Sequence, residues 1–259
     1  MIKSRNHNIA KNEKKILTKA FMVAGAGFAA IFGLAILVWF ILDPSGVIKD
    51  QLKNAERFDF SMYSGTWNLL ARLSMISFGG IMVSSILSLV WMFRIHKSSK
   101  AFITTVFFIY ITSQGVSFGI LFTVWRATEL FGIFGVASIL FLMMALAGWK
   151  AKDLSRMLPF LIFGTIGLMI VGGLMLIFSL TGVFSEKIYG LYIFISALLT
   201  LAWIAFDVNW IKRASQNYSG LLDDDMEYRW VAFFGFRLLS DIISLVWHLI
   251  RIYSRMSKH

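Results

Sequence analysis

Seven long runs of apolar residues constrain the fold of this chain more than any other feature. A helix needs about 20 apolar residues to cross the hydrocarbon core of a bilayer, and each run reaches roughly that length. Backbone groups inside lipid must be hydrogen-bonded within their own segment, so such runs predict α-helices. The predicted spans are 20–42, 67–93, 101–125, 130–149, 158–180, 188–211 and 230–252.

The composition favours the same class of fold. Hydrophobic residues make up 58% of the chain and charged residues 15%, whereas a soluble domain carries about 25% charged residues. The net charge of +11 could suggest a nucleic-acid partner, but the basic residues flank apolar runs instead of clustering on a soluble module. We therefore predict an all-α polytopic membrane protein whose environment is the lipid bilayer, with no nucleic-acid partner.

The distribution of basic residues predicts the orientation. Lysines and arginines follow the second, fourth and sixth runs, and the loops between are charge-balanced or slightly acidic. Positive residues gather in cytoplasmic loops, so we expect a cytoplasmic N-terminus. The chain then divides into a basic N-terminal segment 1–19, a transmembrane domain 20–252 with an external loop 43–66, and a basic tail 253–259.

The sequence says less about whether the last run crosses the bilayer and about which membrane holds the protein. The basic tail after residue 252 favours a re-entrant hairpin with the C-terminus inside, whereas a full crossing would place the C-terminus outside. The basic start without a transit peptide fits a bacterial plasma membrane. The acidic run 223–227 is expected to be a solvated loop.

A few polar residues lie inside apolar runs, where a charged side chain costs roughly 2.5–3.5 kcal/mol. At helical spacing, the polar residues of the last run share one face of that helix, and four residues of the sixth run share one face of theirs. The two faces could meet around a hydrated interior. Alternatively, Arg237 and Asp241 neutralise each other one turn apart, and Asp207 reaches toward the cytoplasmic end. The residues concerned are Arg72; Ser196, Thr200, Trp203 and Asp207; and Arg237, Asp241, Ser244, His248 and Arg251.

Two acids that face one cavity would exchange protons as a coupled pair near neutral pH. Ionised carboxylates are also hard oxygen ligands suited to Ca²⁺. Asp207 and Asp241 are therefore predicted as a proton sensor and as transient Ca²⁺ ligands, with no resident cofactor.

Enzyme motifs are weaker in this chain. Ser117 lies in a G-x-S-x-G pattern, but that pattern needs a strand–turn–helix elbow and here it falls within an apolar run. Intramembrane aspartyl proteases carry Gly-x-Gly-Asp at their second acid, where this chain has Leu238, Leu239 and Ser240 before Asp241. We predict no enzymatic activity.

Four segments, in the expected order, resemble the transmembrane Bax inhibitor motif family. Residues 206–212 (FDVNWIK) resemble the end of its sixth helix, and 238–246 (LLSDIISLV) its last helix. Residues 148–155 (GWKAKDLS) are similar to the loop after its fourth helix, and 113–117 (SQGVS) to a region of its third.

This resemblance implies a seven-helix fold with the last helix central, and a pH-sensitive Ca²⁺ leak gated by Asp207 and Asp241. It also implies a latch arginine at the end of the second helix, near Arg94, that bonds the acid of the sixth helix in the closed pore. The alternative is a non-transporting interaction protein, because some bacterial relatives modulate a membrane-bound protease.

The chain departs from the family at two informative positions. Met82 stands where bacterial relatives carry an acid, and Arg237 stands where the family has a small or apolar residue. A guanidinium one turn before Asp241 favours the ionised carboxylate and places a positive charge in the cation path. We expect the polar stripe of Arg237, Ser244 and His248 to modulate conduction, and Arg237 to weaken it.

Overall fold

The computed structural model describes residues 2–43, 64–180, 186–218 and 223–256 of the 259-residue chain. Within these ranges the chain forms seven long α-helices and no strand. Short 3₁₀ turns at Ile95–Lys97 and Ser155–Met157 precede the third and fifth helices. The helices are α1 Ile2–Leu42, α2 Ser64–Arg94, α3 Lys100–Val124, α4 Ala127–Lys150, α5 Leu158–Leu180, α6 Glu186–Tyr218 and α7 Asp224–Met256.

All seven of these helices are long and apolar enough to cross a membrane. The predicted all-α polytopic fold is therefore confirmed. α7 is one continuous helix of 33 residues, so the re-entrant hairpin considered for the last run is wrong. It is also the most buried of the seven: 72% of its most apolar window is buried, against at most 44% in any other span.

The helices extend beyond some of the predicted segment boundaries. α1 begins at Ile2, so the basic N-terminal segment and the first span form one continuous helix. The predicted external loop 43–66 lies outside the described residues, except for Asp43 and the first turn of α2. The last three residues of the tail also lie outside them. Arg72 is the ninth residue of α2, and its side chain is exposed.

The chain divides into two compact units. We call Lys19–Leu130 with Leu222–Phe236 the α1–α3 unit. Met1–Thr18, Phe131–Leu221 and Arg237–His259 form the other, the α4–α6 unit. α7 therefore contributes its first half to the α1–α3 unit and its second half to the α4–α6 unit.

Small residues allow close helix contacts within the α1–α3 unit. A methyl group at Gly115 would lie 2.7 Å from a methyl carbon of Leu34, and one at Gly119 would lie 3.0 Å from the carbonyl oxygen of Ala35. Between these glycines the Ser117 hydroxyl donates to the carbonyl of Ser113, inside a continuous helix. The G-x-S-x-G pattern thus packs α3 against α1, as small residues do in membrane helices.

The acidic run at 223–227 starts a helix, so the expectation of a solvated loop is wrong. The Asp223 carboxylate accepts a hydrogen bond of 2.7 Å from the backbone N–H of Met226. Asp224, Asp225 and Glu227 occupy the first turn of α7. Acids are favourable there because the first N–H groups of a helix are unsatisfied and its dipole is positive at that end.

Candidate functional site

Asp207 lies at the centre of a buried charged cluster in the α4–α6 unit. Its side chain is completely buried, and its Oδ2 accepts a hydrogen bond of 2.5 Å from Nε of Arg237 on α7. This ion pair links α6 to α7. The alternative in which Asp207 reaches toward the membrane surface is therefore wrong, and Arg237 is not neutralised within its own helix alone.

Asp241 belongs to the same cluster. It lies one turn after Arg237, and its carboxyl group interacts with that of Asp207. Oδ1 of Asp207 and Oδ2 of Asp241 are buried, and no donor group among the described residues bonds either oxygen. Two ionised carboxylates and one guanidinium are one positive charge short of neutrality. A single proton, or another cation, would supply that charge.

Two tryptophans of α6 hold the guanidinium of Arg237. Its central carbon lies 5.6 Å from the ring centroid of Trp203 and 5.4 Å from that of Trp210. The Trp203 indole N–H donates in turn to Thr165 Oγ1 of α5, at 3.0 Å. A cation over an aromatic face gains about 0.5–1 kcal/mol at an exposed site and about 2 kcal/mol when desolvated, and the Arg237 side chain is 26% exposed. Trp210 was not among the predicted site residues, although its position three residues after an intramembrane acid is a usable signal.

The remaining residues of the predicted stripe continue along the same face of α7. Nδ1 of His248 is buried and lacks a hydrogen-bond partner among the described residues. Farther along, Arg255 packs against Gly190 of α6, where a methyl group would lie 2.8 Å from the guanidinium carbon. Since Asp207 meets Arg237 and Gly190 meets Arg255, α6 and α7 run antiparallel. Ser244 and His248 therefore lie at levels between these two contacts.

Arg94, the predicted latch, is exposed at the end of α2 in the α1–α3 unit. Its backbone carbonyl accepts a hydrogen bond of 2.9 Å from Ser98 Oγ. The arginine that bonds the acid of the sixth helix is instead Arg237. The role of Arg94 stays a prediction.

Asn209, two residues after Asp207 on α6, is hydrogen-bonded to the end of α4 and to the loop between α4 and α5. Its side chain is buried, and Nδ2 donates to the carbonyls of Gly148 (3.1 Å) and Ala151 (2.9 Å). Its Oδ1 accepts from the backbone N–H of Leu154 at 3.1 Å. These bonds satisfy backbone groups at the end of α4 that have no partner within the helix.

Lys212 of α6 bonds the same region, at the end of α4. Its Nζ donates to the carbonyls of Trp149 (2.9 Å) and Ala151 (3.2 Å) and lies 5.6 Å from the Trp149 ring centroid. A methyl group at Gly148 would lie 2.1 Å from the carbonyl oxygen of Ala205, so α4 and α6 touch backbone to backbone there. Segments 148–155 and 206–212, which carry the family resemblance, thus dock on each other and fix the position of Asp207.

Asn209→Leu is expected to destabilise the protein by about 2–4 kcal/mol, because a buried N–H and two carbonyls lose their partner. Ser215→Ala on the same helix is the matched control, since the buried Ser215 hydroxyl donates to the carbonyl of Ile211, one turn earlier. The free energy of unfolding in mixed micelles, measured by denaturing detergent titration, compares the two. Equal losses of unfolding free energy in the two variants would show that the hydrogen bonds of Asn209 contribute nothing specific.

The cluster offers few ligands to a metal ion. Within the described ranges, no three His, Cys, Asp or Glu side chains converge. Ca²⁺ takes six to eight oxygen ligands, so Asp207 and Asp241 could supply only part of such a shell. Water or carbonyl oxygens would have to supply the rest.

The fold and the cluster together define a polytopic helical membrane protein with a buried acid–arginine site between its last two helices. The family model described as "Inhibitor of apoptosis-promoting Bax1" matches residues 13–258. Since the match covers nearly the whole chain, the protein belongs to the Bax inhibitor family, as its sequence resemblance predicted. A search of curated proteins finds no significant match to this chain.

Proposed function

We propose that this protein is a pH-sensitive cation leak for Ca²⁺, in which Asp207 and Asp241 are the proton sensor and the transient ligands. The observation that carries the proposal is the cluster of two carboxyl groups and one guanidinium, in which the Asp207 side chain is completely buried and that of Arg237 is 26% exposed. It has an unpartnered oxygen on each acid, and it lies on the membrane-spanning parts of α6 and α7.

Charge balance gives this cluster two neutral states. In one, the Arg237 guanidinium and a single proton balance the two carboxylates. In the other, Ca²⁺ balances both ionised carboxylates, and Arg237 has swung away. Exchange between them releases a proton when Ca²⁺ binds, so the affinity for Ca²⁺ rises with pH. Arg237 then acts as the internal counter-cation of the closed state, in the role that the resemblance assigned to Arg94.

Asp207→Asn and Asp241→Asn are each expected to reduce Ca²⁺ flux about tenfold and to abolish its pH dependence, because one charged ligand and one proton site are lost. The measurement is Ca²⁺ entry into dye-loaded proteoliposomes over a series of pH values. Asp153→Asn is the matched control, because Asp153 lies in the exposed α4–α5 loop, where it pairs with Arg213 of α6. Flux that ignores both cluster substitutions would contradict the leak and support the non-transporting partner of a membrane protease.

The proposed setting is a bacterial plasma membrane with the N-terminus in the cytoplasm. Basic residues after the second, fourth and sixth helices support that orientation. If all seven helices cross, the C-terminal tail lies on the external side. Cysteine labelling at each terminus in intact cells tests this arrangement, because only an external thiol reacts with a membrane-impermeant reagent.

A further inference from the structure

A second cavity, separate from the acid cluster, lies within the α1–α3 unit. Its volume is about 420 Å³, and it is bounded by α1, α3 and the first half of α7. Ala26 and Thr104 of its lining are exposed, so the cavity is open to the surroundings of the protein. Its wall is almost entirely apolar and includes Val23, Ile103, Phe107, Ile111 and Val231.

Two ion pairs lie at one end of this cavity. Lys19 Nζ is 2.5 Å from Glu227 Oε1, one turn before the α1 residues of the lining. Lys100 Nζ is 2.9 Å from Asp225 Oδ1 and lies 5.6 Å from the Tyr228 ring centroid. Lys100 is likewise about one turn before Ile103. The apolar lining on α3 runs from there to Ile111, about 12 Å farther along the helix.

Water is a poor occupant of such a cavity. A buried water needs two to four polar partners, but the Thr104 hydroxyl of the lining already donates to the carbonyl of Lys100 at 3.0 Å. The three bounding helices are long and apolar enough to cross a membrane, so the molecules around the opening are lipids. An acyl chain is the apolar ligand that this setting supplies.

The charges at the end of the cavity indicate which lipid. Lys100 and Asp225 have side chains that are 64% and 61% exposed, so a headgroup can reach both. A headgroup with a phosphate and an ammonium complements both signs, whereas a purely anionic headgroup would meet the carboxylates of Asp225 and Glu227. We infer that this cavity binds one acyl chain of a zwitterionic aminophospholipid, with phosphate at the lysines and ammonium at the carboxylates.

The headgroup preference is tested by native mass spectrometry of delipidated protein, titrated with phosphatidylethanolamine or phosphatidylglycerol of identical acyl chains. One bound phosphatidylethanolamine is expected, with an apparent affinity about fivefold above that of phosphatidylglycerol, the factor that one surface charge contributes. Asp225→Asn is expected to bring the ratio close to one. Equal affinities in the unaltered protein, or a preference that survives Asp225→Asn, would overturn the assignment.

The location is tested by filling the cavity. Ala26→Phe is expected to abolish the bound lipid, whereas Ala29→Phe, exposed on the same helix but outside the lining, is expected to retain it. Helicity and gel-filtration profile check that both variants fold, and Asp225→Asn tests the site without filling it. Lipid retained by Ala26→Phe, or a non-lipid molecule or second copy of the chain at this surface, would refute the inference.

Discussion

Arg237→Ser is expected to raise Ca²⁺ flux through reconstituted protein about tenfold, because it removes a fixed positive charge from the cation path. In the structure this charge is bonded to Asp207 and lies over the rings of Trp203 and Trp210. A Ca²⁺ ion that approaches both acids must first displace it. Serine leaves space and no charge, so the barrier to entry falls. Flux into dye-loaded proteoliposomes at constant pH measures the change.

Two further substitutions separate charge from other effects. Arg251→Ser removes an exposed arginine from the same helix and is expected to leave flux unchanged. Arg237→Lys keeps the charge without the planar guanidinium, and should give flux much closer to that of the unaltered protein than to that of Arg237→Ser. If Arg237→Ser leaves Ca²⁺ flux unaltered while Asp207→Asn reduces it, the flux depends on the acids but Arg237 does not limit it.

Arg237→Leu is expected to destabilise the protein by about 3–5 kcal/mol, because it leaves a buried carboxylate without its partner. Adding Asp207→Leu should recover most of this loss, since the one carboxyl group that then remains in the cluster, that of Asp241, is neutral when it is protonated. The free energies of unfolding of the unaltered protein, Arg237→Leu, Asp207→Leu and the double variant form a cycle that isolates the coupling between the two side chains. Denaturing detergent titration in mixed micelles gives all four values.

An additive cycle would contradict the ion pair as a stabilising contact. The cycle also separates the two possible uses of this cluster. Strong coupling together with Ca²⁺ flux that ignores both acids would make the cluster an internal fastening of α6 to α7, as the interaction-protein alternative requires. Strong coupling together with flux that depends on both acids supports the leak.

The apolar runs were sufficient to predict all seven helices in the described part of the chain, because lipid leaves the backbone no other way to satisfy its hydrogen bonds. The ends were predicted less well. The sixth run was expected to end at 211, but α6 continues to Tyr218. The seventh was expected to start at 230, but α7 begins at Asp224. Hydropathy detects the part of a helix within the bilayer, whereas polar turns and acidic caps extend the helix beyond it.

The candidate site was predicted in part. Helical periodicity placed Asp207 on one polar face and Arg237 with Asp241 on another, because 3.6 residues per turn fixes which side chains share a face. The same periodicity could not decide which acid Arg237 bonds, since a partner one turn away and a partner across the helix interface fit the sequence equally well. The bonds from Asn209 to Gly148 and Ala151 were not foreseen either, because their carbonyl acceptors carry no side-chain signal.

Local composition and helical geometry are enough to predict that this chain crosses a membrane with helices, and which positions on those helices are polar. The bond from Arg237 to Asp207 between two tryptophans, and the place of Asp241 in the cluster, became known from the folded chain. The rotation and register of one helix against its neighbour depend on packing between residues far apart in the chain. At Gly148 and Ala205, for example, two backbones must touch before the charged side chains can meet.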